Sequence, residues 1–269
     1  MVAPLAVTVS GPAKRALVED ARACAARWNL PFYDRPRNTG LEPQLGVIAD
    51  AFLVLGGDGF CLTAREGSLR FTPGMAQVRL KRLDAGQGAQ DVVVRLMELK
   101  PGDTVLDATL GLGADALVCA RTVGPAGRVI GVERSFALWA LVSEGLARGG
   151  LPPRCAPIEV RHGDALEVLR AMPAASVDCV LFDPMFERPK KSSPAFDLLR
   201  RYASHEPLTR EALDEARRVA RRWVVVKAGR YGPELRRLGL TPEPTSRHTA
   251  VVWARLPGSA RRDLPQLRE

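Results

Sequence analysis

The chain has 269 residues, 46% of them hydrophobic, which is enough for one large or two small domains with a sizeable core. No apolar run reaches the ~18 residues of a membrane span, and the first four residues lack a charged secretory start. The five cysteines are odd in number and scattered, showing neither a disulfide framework nor zinc-type spacing, which leaves a reducing, cytoplasmic setting as the expectation, while a net charge of +9, dominated by arginine, fits a polyanionic partner or an arginine-rich bias spread evenly over the surface.

Residues 12–28 read as a helix with Leu17, Val18, Ala21, Cys24 and Ala25 on one face. Residues 47–55 and 59–63 read as strands around the Gly56-Gly57-Asp58-Gly59 turn, with another strand at 69–72. The segment 75–82 then reaches a Gly86-Gln87-Gly88 turn, and a helix is expected over 91–98. That turn is as compatible with a plain linker as with a segment closing over a ligand. Residues 1–95 are thus expected to form a small α/β region and a lead-in.

Pro101-Gly102-Asp103 sets a turn, and Thr104-Val105-Leu106 a short strand. Asp107-Ala108-Thr109-Leu110-Gly111-Leu112-Gly113-Ala114-Asp115 follows and opens into a helix from Ala116. A strand, a glycine turn and a helix place a ligand above the carboxyl end of a parallel sheet. Gly111 and Gly113 remove Cβ atoms, so the backbone can approach that ligand. The run Gly111–Ala116 formally fits the dinucleotide fingerprint. However, Asp107 and Asp115 flank it, and their charge would repel a pyrophosphate. S-adenosylmethionine carries a sulfonium and no phosphate, and suits the loop better. The plain alternative is a tight turn with solvated aspartates.

A second strand, 128–132, ends at Glu133, where a carboxylate grips ribose hydroxyls in nucleotide-binding α/β folds. Arg134 lies beside the adenosine or faces water, and a helix is expected over 135–148. A third strand, 158–161, runs into His162-Gly163-Asp164-Ala165. Asp164 is placed to accept from the adenine amino group and the Ala165 amide to donate to a ring nitrogen. Asp164 reads equally as the N-cap of a helix over 165–172. His162 reads as a loop residue without a partner.

The fourth strand, 177–182, ends in Asp183-Pro184-Met185-Phe186. Methyltransferases of exocyclic amines carry an acid or amide, a proline and an aromatic here. Asp183 can accept an amine N–H and aim the nitrogen lone pair. Pro184 stiffens the backbone, and Phe186 can stack on an extruded base. The alternative is a turn with Phe186 packed inside. Displacement at a sulfonium needs alignment more than a strong base, so Asp183 is expected to orient the amine and accept its proton late. Arg188, Lys190, Lys191, Arg200 and Arg201 follow as candidate phosphate contacts. Arg217, Arg218, Arg221 and Arg222 read as the exposed face and end of a helix. A fifth strand, 223–227, ends at Lys227 on the ligand-bearing edge, making Lys227 a candidate substrate contact. A strand over 249–255 completes a hairpin, and the tail starts at 258. The expected architecture is α/β: a Rossmann-like class I methyltransferase sheet over 96–257, mostly parallel with a C-terminal antiparallel hairpin. No metal site is expected.

The combination resembles the bacterial 16S ribosomal RNA guanine-N2 methyltransferase J family. The resemblance is carried by the stretch from Asp107 to Ala116, by Glu133-Arg134, by Asp183-Pro184-Met185-Phe186 with the lysines after it, and by Val224-Val225-Val226-Lys227. It extends from about Leu69 to Lys227. It implies a cytoplasmic enzyme that uses S-adenosylmethionine to methylate N2 of one guanosine in small-subunit RNA. It also implies cofactor contacts at Ala114, Asp115, Glu133, Arg134, Asp164, Ala165 and Asp183. The chain departs from the family at Ala114, where arginine is usual, and at Glu187, where proline is usual. The rival readings are an N6-adenine or small-molecule amine methyltransferase, a non-catalytic RNA-binding protein with this fold, and a nucleotide-dependent oxidoreductase. The last is disfavoured by Asp107 and Asp115.

Overall fold

A computed structural model describes residues 2–36, 39–185, 194–244 and 249–261. In chain order the elements are β1 (Ala6–Val9), α1 (Arg15–Arg27), β2 (Ala51–Gly56), β3 (Gly59–Ala64), β4 (Gly67–Arg70), α2 (Gly74–Asp84), α3 (Val92–Met97), β5 (Thr104–Asp107), α4 (Ala114–Val123), β6 (Arg128–Glu133), α5 (Phe136–Gly145), β7 (Ile158–His162), α6 (Ala165–Ala171), β8 (Val177–Phe182), α7 (Pro194–Tyr202), α8 (Arg210–Val219), β9 (Ala220–Gly229), α9 (Pro233–Arg237) and β10 (Val251–Pro257). They fall into two compact units, one of residues 1–72, 137–150 and 190–203, the other of 73–136, 151–189 and 204–269.

The first unit holds a four-stranded sheet in the order β1-β2-β3-β4, with β1 parallel to β2 and the other pairs antiparallel. Its core gathers Ala6, Leu45, Ala49, Phe52, Val54 and Cys61. Helix α1 begins at Arg15 rather than at 12, because Gly11 takes a left-handed φ of +47° ahead of Pro12. The strand expected from 47 begins only at Ala51. Val47 and Ile48 are exposed, and Gly46 turns the chain at φ +76°. Helix α5 stops at Gly145, short of the expected 148, and the chain turns through Gly149 at φ +93°.

The second unit holds a six-stranded sheet in the order β10-β9-β8-β5-β6-β7. Five strands are parallel, and β10 pairs antiparallel with β9 through Trp253 opposite Lys227. Central strands covered on both faces read as continuous apolar runs; Val105, Leu106, Val180, Leu181, Val224, Val225 and Val226 are all fully buried. On one face Leu106, Ile130, Phe182 and Val226 pack with Leu169, Leu213 and Ala216. The strand order reverses between β5 and β8, so a crevice opens above their carboxyl ends.

The arginine run over 217–222 corrects the sequence reading. Helix α8 ends at Val219, and Arg221 and Arg222 already belong to β9. Arg218 donates to the carbonyls of Leu169 and Met172, both at 2.8 Å, and Arg217 donates to that of Pro257. Arg221 is exposed, as expected, and pairs with Asp178, whereas Arg222 pairs with Asp103 while donating to the Met97 carbonyl. These guanidinium groups satisfy carbonyls and carboxylates of the protein itself. Arg201 likewise pairs with Glu66. All five cysteines are free and buried. Among the described residues no helix is long and apolar enough to cross a membrane, and no His, Cys, Asp and Glu group could hold a metal ion.

Candidate active site

Four carboxylates stand at the carboxyl ends of adjacent parallel strands. Asp107 closes β5, Glu133 closes β6, Asp164 follows β7 and Asp183 follows β8. The glycine loop after β5 is tied to both neighbours: the Ala108 N–H donates to the Leu181 carbonyl and the Leu110 N–H to that of Val132, each at 2.9 Å. Gly111 and Gly113 take φ values of +53° and +75°, and Gly113 caps α4 in the left-handed conformation. A side chain strains that backbone region, which is why glycine stands there.

Asp107 is buried, and one of its oxygens accepts the Thr109 N–H at 3.2 Å. Burial, with the Asp115 charge next in weight, holds its carboxyl well above the usual carboxylate range. Glu133 accepts the Gly111 N–H at 2.8 Å with one oxygen and the Ser135 N–H at 2.7 Å with the other. It therefore sets the shape of the glycine loop. Each oxygen keeps a second lone pair for a further donor. Burial raises this carboxyl too, and the backbone N–H groups oppose the rise.

Asp164 is the N-cap of α6, accepting the N–H groups of Leu166 at 2.9 Å and Glu167 at 3.2 Å. Its other oxygen meets Arg134 at 3.1 Å, and Arg134 also pairs with Glu206. Ala165 opens the helix. His162, read from the sequence as a loop residue without a partner, is held in place: its Nε2 lies 3.0 Å from the Arg134 carbonyl, and its ring meets Phe136 edge-on.

The densest electrostatics surround Asp183. Its backbone N–H donates to the Thr109 hydroxyl at 2.5 Å. Its Oδ2 accepts from Lys227 Nζ at 2.5 Å, and the same ammonium lies 3.6 Å from Asp115 Oδ2. Strand register explains the meeting, since Phe182 pairs with Val226 and the next residues on both strands are Asp183 and Lys227. Lys227 also sits over the Trp253 ring, 5.4 Å from its centroid. Burial pushes the Asp183 carboxyl up to about 6; Lys227 pulls it down and Asp115 pushes it up. Asp115 goes the other way: burial raises it, but Lys227 and Arg79 together hold it below the usual range. Pro184 and Met185 follow Asp183 half-buried, whereas Phe186, Lys190 and Lys191 lie outside the described residues.

Two contributors escaped the sequence reading. Thr109 supplies the hydroxyl that anchors the Asp183 backbone. Arg79, on α2, pairs with Asp115 and binds Asp91 through two nitrogens, at 2.7 and 3.0 Å. A signal existed: Ala76, Arg79, Leu80 and Leu83 recur at helical spacing, and a charge on an apolar stripe is informative. Ala114 opens α4 one residue before Asp115.

The donor set suits S-adenosylmethionine. A Cβ placed on Gly111 would meet nothing within 4 Å, so the loop backbone borders open space. The acids around it complement a cation and hydroxyls, and would repel a pyrophosphate. Comparison with known proteins agrees. A family model described as "Putative SAM-dependent methyltransferase" matches residues 68–249, a span that contains all four strand-end acids and Lys227. The Bacillus subtilis (strain 168) protein YpiP is 34% identical over 87% of this chain and 92% of its own length. A protein named ribosomal RNA small subunit methyltransferase J, from Pseudomonas aeruginosa, is 33% identical over 80% of this chain and 82% of its own. The protein of that name from Laribacter hongkongensis is 39% identical, and the match spans 56% of each chain. The chain belongs to the family of S-adenosylmethionine-dependent methyltransferases related to the small subunit methyltransferase J proteins.

Proposed function

We propose that this enzyme methylates an exocyclic amine of an RNA base, and that the base is a guanosine of small-subunit ribosomal RNA, modified at N2. The observation that carries the reading is the likeness to the Pseudomonas aeruginosa methyltransferase J, which spans 82% of that protein. The net charge of +9 supports a polyanionic substrate.

When bound, S-adenosylmethionine supplies a methyl group on a positively charged sulfur, open to in-line displacement. The chain's own groups align the acceptor. Glu133 and the glycine loop would hold the ribose end of the cofactor, and Asp164 with the Ala165 amide would meet its adenine. Asp183 accepts one N–H of the amine, and Pro184 restricts the backbone that presents it. Burial raises the Asp183 carboxyl to about 6 and Lys227 holds it from going higher, so it is largely ionised at neutral pH. As the nitrogen takes the methyl group its N–H becomes acidic, and the proton passes to Asp183 Oδ. Phe186, Lys190 and Lys191 lie outside the described residues, and their roles, stacking on the base and meeting phosphates, are proposed from the sequence alone.

The test is to incubate the purified protein with methyl-labelled S-adenosylmethionine and either RNA or small ribosomal subunits from cells lacking the gene. The products are then digested to nucleosides. Labelled N2-methylguanosine is the expected product. Label on adenosine would keep the chemistry and overturn the base. Absence of label from both substrates, with cofactor binding intact, would overturn the RNA reading.

A further inference from the structure

Arg79 touches the site network from α2, outside the glycine loop and the strand ends. It projects from the half-buried stripe of α2, and two carboxylates on different elements hold it. Asp91 grips it through both oxygens, while also accepting the N–H groups of Val93 and Val94 as the N-cap of α3. The orientation of the planar guanidinium is therefore set by a helix start. A further nitrogen pairs with Asp115 Oδ1.

The consequence reaches Asp183 through a shared ammonium. Lys227 Nζ stands 2.5 Å from Asp183 and 3.6 Å from Asp115. Both carboxylates compete for one cation in a partly buried site, where such attractions exceed their value in water. Arg79 neutralises Asp115 from its other side, and the competition is settled in favour of Asp183. We propose that Arg79 is a positioning residue for methyl transfer: by holding Asp115 it leaves Lys227 to the carboxylate that orients the amine. This rests on the proposed role of Asp183.

Among the described residues, other titratable groups near the pair come from β5, β6 and α4. Asp107 on β5 lies near both carboxylates, and burial favours its neutral form. Glu133 on β6 acts on Asp107, and the Cys119 thiol of α4 is raised by burial. Without Arg79, Lys227 is left, among the described residues, to serve both carboxylates. Two interacting carboxylates titrate as a pair. Removing a cation beside them raises the upper step, on which the Asp183 signal reports.

The experiment is a carboxyl carbon NMR titration of the full chain without cofactor or RNA, with the Asp183 signal assigned from D183N. It is run on wild type, R79Q and R79K, alongside pH profiles of kcat and calorimetric affinity for S-adenosylmethionine. The expected result is an upward move of the Asp183 inflection in R79Q by about one pH unit, followed by the acid limb of kcat. KM for RNA should hold, and R79K should restore most of the inflection. An unmoved inflection in folded R79Q would overturn the inference. So would a loss confined to cofactor affinity, which would make Arg79 a cofactor contact instead. Should R79Q not fold, D91N removes the fork that orients the guanidinium and carries the same titration. Wild-type turnover by D183A sinks the role of Asp183 itself; inactive D183A with an unmoved R79Q inflection sinks only the role of Arg79.

Discussion

Asp183 Oδ2 and Lys227 Nζ lie 2.5 Å apart at the carboxyl ends of adjacent parallel strands. The contact follows from register: Phe182 pairs with Val226, so the next residue on each strand reaches the same crevice. A buried carboxylate is costly to ionise, and the ammonium offsets much of that cost.

Replacing Lys227 with methionine keeps the stem and removes the charge. Burial raises the Asp183 carboxyl and Lys227 lowers it, with the balance at about 6. Without the ammonium the balance moves up. The acid limb of kcat/KM should therefore shift to higher pH, by about one to two pH units. Activity lost at pH 7 should partly return at pH 9. A uniform loss at every pH, with the limb in place, would mean that Lys227 acts on the substrate and not on Asp183.

Asp183→Ala removes the acceptor for the amine and for its proton. General-base and positioning groups of this kind contribute about 10²–10⁴-fold, and a loss in that range is expected. Calorimetry should show cofactor affinity within a few-fold of wild type, because the loop and the other strand-end acids are untouched. Asp183→Asn keeps an oxygen acceptor but cannot take the proton. It should retain more activity than the alanine variant if orientation dominates, and no more if proton acceptance does.

Glu133 organises the loop before it meets any ligand. It accepts the Gly111 and Ser135 N–H groups at 2.8 and 2.7 Å. Glu133→Ala leaves two backbone donors without that acceptor, at roughly 1–3 kcal/mol for each one that stays buried. A fall in Tm by several degrees should accompany weaker cofactor binding. Glu133→Gln keeps one acceptor oxygen and should fall between. If the alanine variant matched wild type in both measurements, the loop would owe its shape to the glycines alone.

Three of the parallel strands were legible because each is a short apolar run stopped by an acid. Thr104–Asp107, Arg128–Glu133 and Val177–Phe182 all fit that form. The site was legible to the same extent, since those stops are the site. Strand β1 was not legible: at four residues, Ala6–Val9 is too short for a period to declare itself. Arg79 was legible only as a charge on an apolar stripe; its partners Asp91 and Asp115 lie 12 and 36 residues on, and only helix packing unites them. The arginine run failed for another reason. Residues 217–222 cross a helix–strand boundary, and composition cannot tell a solvated basic face from guanidinium groups turned onto carbonyls.

Arg222 separates those two readings. It sits on β9 with its side chain 14% exposed, paired with Asp103, whose side chain is 10% exposed. Its Nε donates to the Met97 carbonyl at 3.1 Å. Asp103 in turn accepts the Lys100 N–H at 2.7 Å, shaping the turn that starts β5. Arg222→Met removes one member of a buried pair and leaves the other charge without its counter-ion. That change costs about 3 kcal/mol. The charge lost is far from the strand ends at the carboxyl edge, since Arg222 lies near the start of β9. Chemical denaturation should therefore show a large loss of stability, with kcat and RNA affinity per folded molecule near wild type. A guanidinium on an RNA-binding face would give the reverse: little change in stability, weaker RNA binding, and a salt dependence shallower by about one ion.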